Sequence, residues 1–230
     1  NGGFISKYSG FLGAQYGALA LGDGKPPTNL VRPDFISEAV ATERRELQQL
    51  FNRRYALHRR KENNDANSYV YDVAEKLMQN QKLFDESTLP AKDRERYGTH
   101  DFGRHTLLAR NLLEAGVRFV QVTSYGWDTH GDKSDAVYGG IVSGLKPLLP
   151  VFDHLYSTLI NDLNERGLLD EVLVIAMGEF GRTPTIGTQD GYTGGRNHWP
   201  QVMSLTLAGG GFRHGQVIGA SDAEGGQPAE

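Results

Sequence analysis

At 230 residues the chain is long enough for one large domain, or for a domain with an appendage. Its 38% hydrophobic and 23% charged residues are the balance of a globular chain rather than a disordered tail. Twenty-four basic against 28 acidic side chains leave a net charge of −4, which argues against nucleic-acid binding through a broad basic surface. No apolar run approaches the ~20 residues of a membrane span, and the absence of cysteine excludes disulfides, thiolate zinc sites and a cysteine nucleophile.

The segment Asn1–Gly24 reads as loop, rich in glycine and tyrosine, and both ends read as cut from a larger protein. Ser37 is an N-cap candidate for a helix running to about Lys61, with Val40, Leu47, Leu50 and Phe51 at helical spacing. The basic run His58–Lys61 reads as a solvated helix face. Tyr69–Phe84 has the period of a second helix, and Ala91–Tyr97 that of a short helical turn after Pro90. Residues 1–97 are thus expected to form a loop and helical region, and 98–230 an α/β core. In that core, Phe102–Glu114 is helical and stops at Gly116, and Val117–Thr123 is a strand. A long helix from about Gly140 to Arg166 follows, with Pro147 and Pro150 bending or restarting it. Leu173–Met177 is a nearly continuous apolar strand and Gln201–Leu207 a third; Gln216–Ile218 is short and strand-like. This alternation predicts a mostly parallel sheet.

In parallel α/β sheets, ligands bind where loops leave the carboxyl ends of the strands. After the first strand comes Gly126-Trp127-Asp128-Thr129-His130-Gly131-Asp132, and after the second Gly178-Glu179-Phe180-Gly181-Arg182-Thr183-Pro184. Gly195-Arg196-Asn197-His198-Trp199-Pro200 stands before the third. The carboxylates Asp128 and Glu179 with the imidazoles His130 and His198 suit zinc, manganese or iron and leave positions for water or substrate. Arg182 and Arg196 are suited to holding a tetrahedral oxyanion through bidentate forks. Trp127 and Trp199 read as wall packing, and Asp132 as a turn residue or a partner of a ligand. Gly209-Gly210-Gly211 reads as turn chemistry, since no lysine and hydroxyl follow as in a P-loop. His58, His100, His105, His154 and His214 read as structural or surface residues. No G-x-S-x-G hydrolase elbow and no dinucleotide fingerprint occur.

Five blocks in order carry a resemblance: FGRHTLLARNLLEAGVRFVQV (Phe102–Val122), GWDTHGD (Gly126–Asp132), MGEFGRTP (Met177–Pro184), GRNHWP (Gly195–Pro200) and LAGGGFRHGQVIGASD (Leu207–Asp222). The chain resembles the domain-of-unknown-function 1501 family of planctomycetes and related bacteria, in the alkaline-phosphatase and sulfatase-like superfamily. The resemblance implies an α/β/α sandwich of which this chain is the C-terminal portion, with the nucleophile upstream. It also implies a divalent metal held by Asp128, His130 and His198, zinc first, with manganese, iron or calcium as alternatives. The place of a second Asp-His pair reads Glu179-Phe180, so Glu179 is expected as ligand of a second ion or as general base. The implied activity is hydrolysis of sulfate or phosphate esters, small or polysaccharide, with Arg182 and Arg196 compensating charge on the transferred group. The rival expectation is a degenerate, non-catalytic member that binds polysaccharide or protein. The family also implies an extracytoplasmic location. No nucleic-acid partner is expected, and oligomeric state is left open.

Overall fold

A computed structural model describes residues 12, 16–22, 31–57, 62–131, 140–189 and 192–229. The expected loop Asn1–Gly24 and the basic run His58–Lys61 lie mostly outside the described residues, as does Asp132. The chain divides into two compact units, Asn1–Pro90 and Ala91–Glu230.

The first unit is a helical pair. Helix α1 (Glu38–Ala56) starts where Ser37 Oγ accepts the Val40 N–H, and it carries Glu38 in its first turn and Arg53 and Arg54 in its last. These charges complement the helix dipole. Helix α2 (Glu62–Gln79) begins before Tyr69 and gives way to 3₁₀ turns at Gln81–Phe84 and Glu86–Thr88. Asn80 ends it by donating its side-chain amide to the Lys76 carbonyl at 2.8 Å. Asn52 donates to Ser68 Oγ at 3.0 Å, and Arg45 pairs with Asp72 and with Glu75. The partner number rises as the α1 number falls, as in an antiparallel hairpin.

The second unit is built on helices α3 (Ala91–Tyr97), α4 (Asp101–Glu114) and α5 (Lys146–Glu165). His100 serves as N-cap of α4, its Nδ1 accepting the Gly103 N–H at 3.1 Å. A π-helical turn, Ile141–Leu145, leads into α5, which carries Pro147 in its first turn and Pro150 one turn later. Leu107, Leu108, Leu112, Leu155 and Leu163 are buried in this unit.

The same unit buries a polar network. Arg110 is 2% exposed; it donates from Nη2 to Asp93 at 2.6 Å and from Nη1 to Glu114 at 2.7 Å. Its Nε lies 3.0 Å from Asp162 Oδ2, an ion-pair contact without the angle of a hydrogen bond. Arg166 reaches the same three carboxylates, and the buried Tyr97 hydroxyl donates to Asp162 at 2.8 Å. Arg96 clamps Glu165 with both terminal nitrogens. Charges inside a low-dielectric core persist only when paired and hydrogen-bonded. The network therefore ties α3, the middle and end of α4 and the end of α5 into one arrangement.

The strands differ from expectation. Strand β1 (Leu173–Met177) pairs antiparallel with β6 (Leu205–Gly209), with Ile175 opposite Leu207 and Met177 opposite Leu205. Two smaller antiparallel pairs lie between them: β2 (Gly181–Arg182) with β5 (His198–Trp199), and β3 (Gly187–Gln189) with β4 (Tyr192–Gly195). The predicted parallel sheet is absent among the described residues. A parallel connection needs a crossover, usually a helix, and among the described residues no helix lies between β1 and β6. Residues 117–123 and 216–218 form no strand, although both were expected as such; Phe119, Val217 and Ile218 are strongly exposed. Extended apolar sequence becomes a strand only where a neighbour completes its hydrogen bonds. The third strand starts at Leu205 rather than Gln201, and positive-φ Gly209 closes it. A Cβ on Gly209 would stand 2.2 Å from the Val172 carbonyl oxygen.

The buried network yields a stability prediction. Burial pushes the Asp162 carboxyl up, but hydrogen bonds from Arg166 and Tyr97 and the charges of Arg110 and Arg166 outweigh it, and the net direction is down. Its stabilising contribution is then complete above the unfolded value of about 3.9 and is lost as pH falls through the lower folded value. Both tryptophans, Trp127 and Trp199, lie in this unit, so urea unfolding followed by their fluorescence reports on it. Arg110→Ala is expected to cost about 3–5 kcal/mol at pH 7 by leaving buried carboxylates unpaired. Asp162→Asn is expected to destabilise at pH 7 and to show a smaller loss than the wild type on going from pH 5 to pH 3.

Candidate metal centre

The site is assembled from three pieces of the second unit. The first is the irregular segment 126–131. Trp127 anchors it: its ring meets Phe152 of α5 edge-on at 5.8 Å, and its indole N–H donates to Ser124 Oγ at 2.9 Å. Phe152 in turn stacks on Tyr156. The second and third pieces are β2 and β5, whose pairing sets Arg182 directly opposite His198. Thr183 and Asn197 fasten the end of this ladder, with the Thr183 N–H on the Asn197 carbonyl at 2.9 Å and the Asn197 N–H on Thr183 Oγ1 at 3.0 Å. Trp199 donates its indole N–H to the Gly226 carbonyl at 2.7 Å, tying β5 to the C-terminal turn.

On this frame three side chains converge. His130 Nε2 lies 2.9 Å and His198 Nε2 2.7 Å from Asp128 Oδ1, and the two imidazole nitrogens are 3.1 Å apart. Ligands about 2.0–2.1 Å from a tetrahedral zinc stand roughly 3.3 Å from one another. The triplet is thus slightly tighter than a loaded tripod, with its ligand atoms all within 4.8 Å. Asn197 Oδ1 lies 3.4 Å from His130 Nδ1. A proton on that nitrogen leaves the Nε2 lone pair directed at the other two ligand atoms, the tautomer a metal requires. Asp128 and His198 are exposed and His130 half-buried, so the centre is open to solvent. Partial burial pushes the Asp128 carboxyl up, but hydrogen bonds from His198 and Arg182 and the nearby His130 outweigh it and bring it down to about 2. The carboxylate is therefore held ionised, as a metal ligand must be.

The other expected residues are placed differently. Glu179 is exposed, follows β1 and is not part of the triplet. Phe180, beside it, packs its ring on His198 at 4.2 Å between centroids. Arg196 is exposed, and its backbone carbonyl accepts from Arg182. Arg182 is half-buried and donates to Asp128 Oδ1 at 2.9 Å and to carbonyls of the flanking loops. Of the remaining histidines, His154 donates to the Arg96 carbonyl and His214 accepts from the Gly209 N–H, both structural uses. Gly195 and Asn197 were not singled out as site residues by sequence. Asn197 had a signal in standing next to His198, whereas Gly195 had none beyond being glycine.

Three potential ligands with an open coordination side define the class of site, a candidate mononuclear metal centre on an α/β scaffold. A family model described as a protein of unknown function (DUF1501) matches residues 3–230, and the chain belongs to that family. No curated protein and no solved structure matched the chain.

Gly195 provides a direct check on this geometry. A Cβ there would stand 1.7 Å from the His130 carbonyl oxygen and 2.4 Å from the Gly131 nitrogen, whereas nothing lies within 4 Å of a Cβ on its cross-strand partner Gly187. Gly195→Ala is expected to lower stability by at least about 1–3 kcal/mol through forced backbone movement. Gly187→Ala is expected to change it by less than about 0.5 kcal/mol. Urea midpoints of the two variants measure the difference.

Proposed function

We propose that the protein is a metal-dependent hydrolase of the sulfatase or phosphatase type, acting on sulfate or phosphate esters. The observation that carries this reading is the meeting of Asp128 Oδ1, His130 Nε2 and His198 Nε2 within hydrogen-bonding distance of one another. One carboxylate and two imidazoles fit zinc best, manganese and iron next, and calcium least, because calcium prefers oxygen ligands. A divalent ion there supplies Lewis acidity toward a sulfuryl or phosphoryl oxygen. Asp128 contributes the negative charge of the site, and Asn197 fixes the ring of His130. Arg196, exposed in the loop before β5, would meet an anionic ester through a bidentate grip, and its exposure supports that role. Glu179, exposed just after β1, is reserved for a second ion or for base chemistry.

The finer reading places the chain in the alkaline-phosphatase-like superfamily as the C-terminal portion of a larger sandwich, exported from the cytoplasm. The five sequence blocks support it, and so does the β1–β6 ribbon, where Leu173, Ile175, Met177, Leu205 and Leu207 are exposed. Apolar ribbons with two free edges are normally completed by further strands or helices. The second reading, a non-catalytic member binding polysaccharide or protein, is favoured by Phe180 packed on His198.

Elemental mass spectrometry of the dialysed protein, paired with turnover of aryl sulfates and aryl phosphates, tests the proposal. The expected result is about one retained equivalent of metal, lost in His130→Ala and in His198→Ala together with turnover. Retained metal without turnover of either ester transfers support to the binding reading. Full metal occupancy in both histidine variants contradicts the ligand set.

A further inference from the structure

Arg182 touches the triplet and the loops that carry it. Its Nη2 donates to Asp128 Oδ1 at 2.9 Å and to the Trp127 carbonyl at 3.2 Å. Its Nη1 donates to the Thr129 carbonyl at 3.4 Å and to the Arg196 carbonyl at 3.3 Å. The two terminal nitrogens of a guanidinium carry four hydrogens, and here they meet four acceptors. With the loops in place, both terminal nitrogens are engaged by protein acceptors. The acceptors come from both ligand-bearing segments: residues 127–129, which hold Asp128 and lead to His130, and residue 196, two positions before His198. Arg182 itself sits on β2 opposite His198.

We propose that Arg182 is a positioning residue of the metal centre, a clamp that holds segment 126–130 against the β2–β5 pair so that the three ligands are assembled before metal arrives. This inference rests on the metal reading above and replaces the oxyanion role expected for Arg182. Two effects of the guanidinium oppose each other. Its fixed positive charge beside Asp128 disfavours a second cation, while its fork removes the cost of ordering the ligand loop on binding. In a clamp, the ordering effect outweighs the charge. The alternative is that Arg182 is merely a neighbouring charge, and then its removal tightens metal binding. Lysine separates the two, since it keeps the charge but cannot serve four acceptors in a planar fork.

The experiment is zinc affinity by competition with a chromophoric chelator, on the full chain, for the wild type, Arg182→Lys and Arg182→Gln. Amide hydrogen exchange of residues 127–131 is measured on the same proteins without metal, and tryptophan fluorescence confirms folding. Loss of a residue that orients metal ligands typically weakens binding about 10–100-fold, and that loss is expected in both variants. The buried Thr129 amide, which donates to the Trp127 carbonyl at 2.8 Å, is expected to exchange more slowly in the metal-free wild type than in either variant until zinc is added. Unchanged or tighter zinc binding in Arg182→Gln overturns the proposal, and so does unchanged protection of that amide. If Arg182→Gln fails to fold, Arg182→Lys decides by the same two readouts. Absence of zinc binding by the wild type removes the metal reading instead, and the exchange comparison still decides whether the clamp exists.

Discussion

Arg110 is almost wholly buried and must be answered by carboxylates, which it finds on three helices: Asp93 on α3, Glu114 on its own α4 and Asp162 on α5. A buried guanidinium tolerates few arrangements, because a lost partner leaves an uncompensated charge in a medium that solvates it poorly. Helix α5 is therefore fixed by polar pairing as well as by Leu155 and Leu163. That constraint reaches the candidate metal centre through an aromatic contact. Phe152 on α5 supports Trp127, and Trp127 precedes Asp128. The helical part of the unit thus sets the seat of a segment that has no regular structure of its own.

At the centre, two imidazole nitrogens and a carboxylate oxygen face the same point. Two Nε2 atoms 3.1 Å apart cannot both carry protons without pressing hydrogen against hydrogen. Whichever Nε2 lacks a proton presents its lone pair to the carboxylate, an arrangement that a cation relieves. Arg182 supplies positive charge on one side of Asp128 Oδ1. The architecture around this point is economical in backbone: Gly195 lets one strand lie directly on the His130–Gly131 peptide, and the two-residue pairing of β2 with β5 places Arg182 and His198 side by side.

Much of the helical content was legible in sequence. The Ser37 cap, the apolar faces of α4 and α5 and the run Leu173–Met177 each carry a local signal that the structure preserves. The relation between strands was not legible, because a buried-looking apolar run has the same pattern in parallel and antiparallel pairing. Residues 117–123 show the same limit: their composition suits a strand, but no described neighbour pairs with them. For the site, Asp128, His130 and His198 could be placed in loops that should converge, and their atoms do lie together. Glu179, expected as ligand of a second ion or as general base, is exposed after β1, and the residue after it, Phe180, packs on His198. The Arg110 network was invisible because its members are up to 73 residues apart, as in Arg166 with Asp93, and singly resemble ordinary helix-surface charges. Arg182 could be singled out by its place after a strand, but its direction toward backbone carbonyls depends on loop conformation that no spacing encodes.

The proposed metal centre makes Asp128, His130 and His198 joint ligands of one ion. X-ray absorption spectroscopy of the zinc-loaded protein addresses it most directly, because multiple scattering counts imidazole ligands independently of activity. Two imidazoles and oxygen ligands at about 2.0–2.1 Å in a four- or five-coordinate shell are expected, with one imidazole lost in His198→Ala. A shell of oxygen ligands alone, or one unchanged by that substitution, would contradict it.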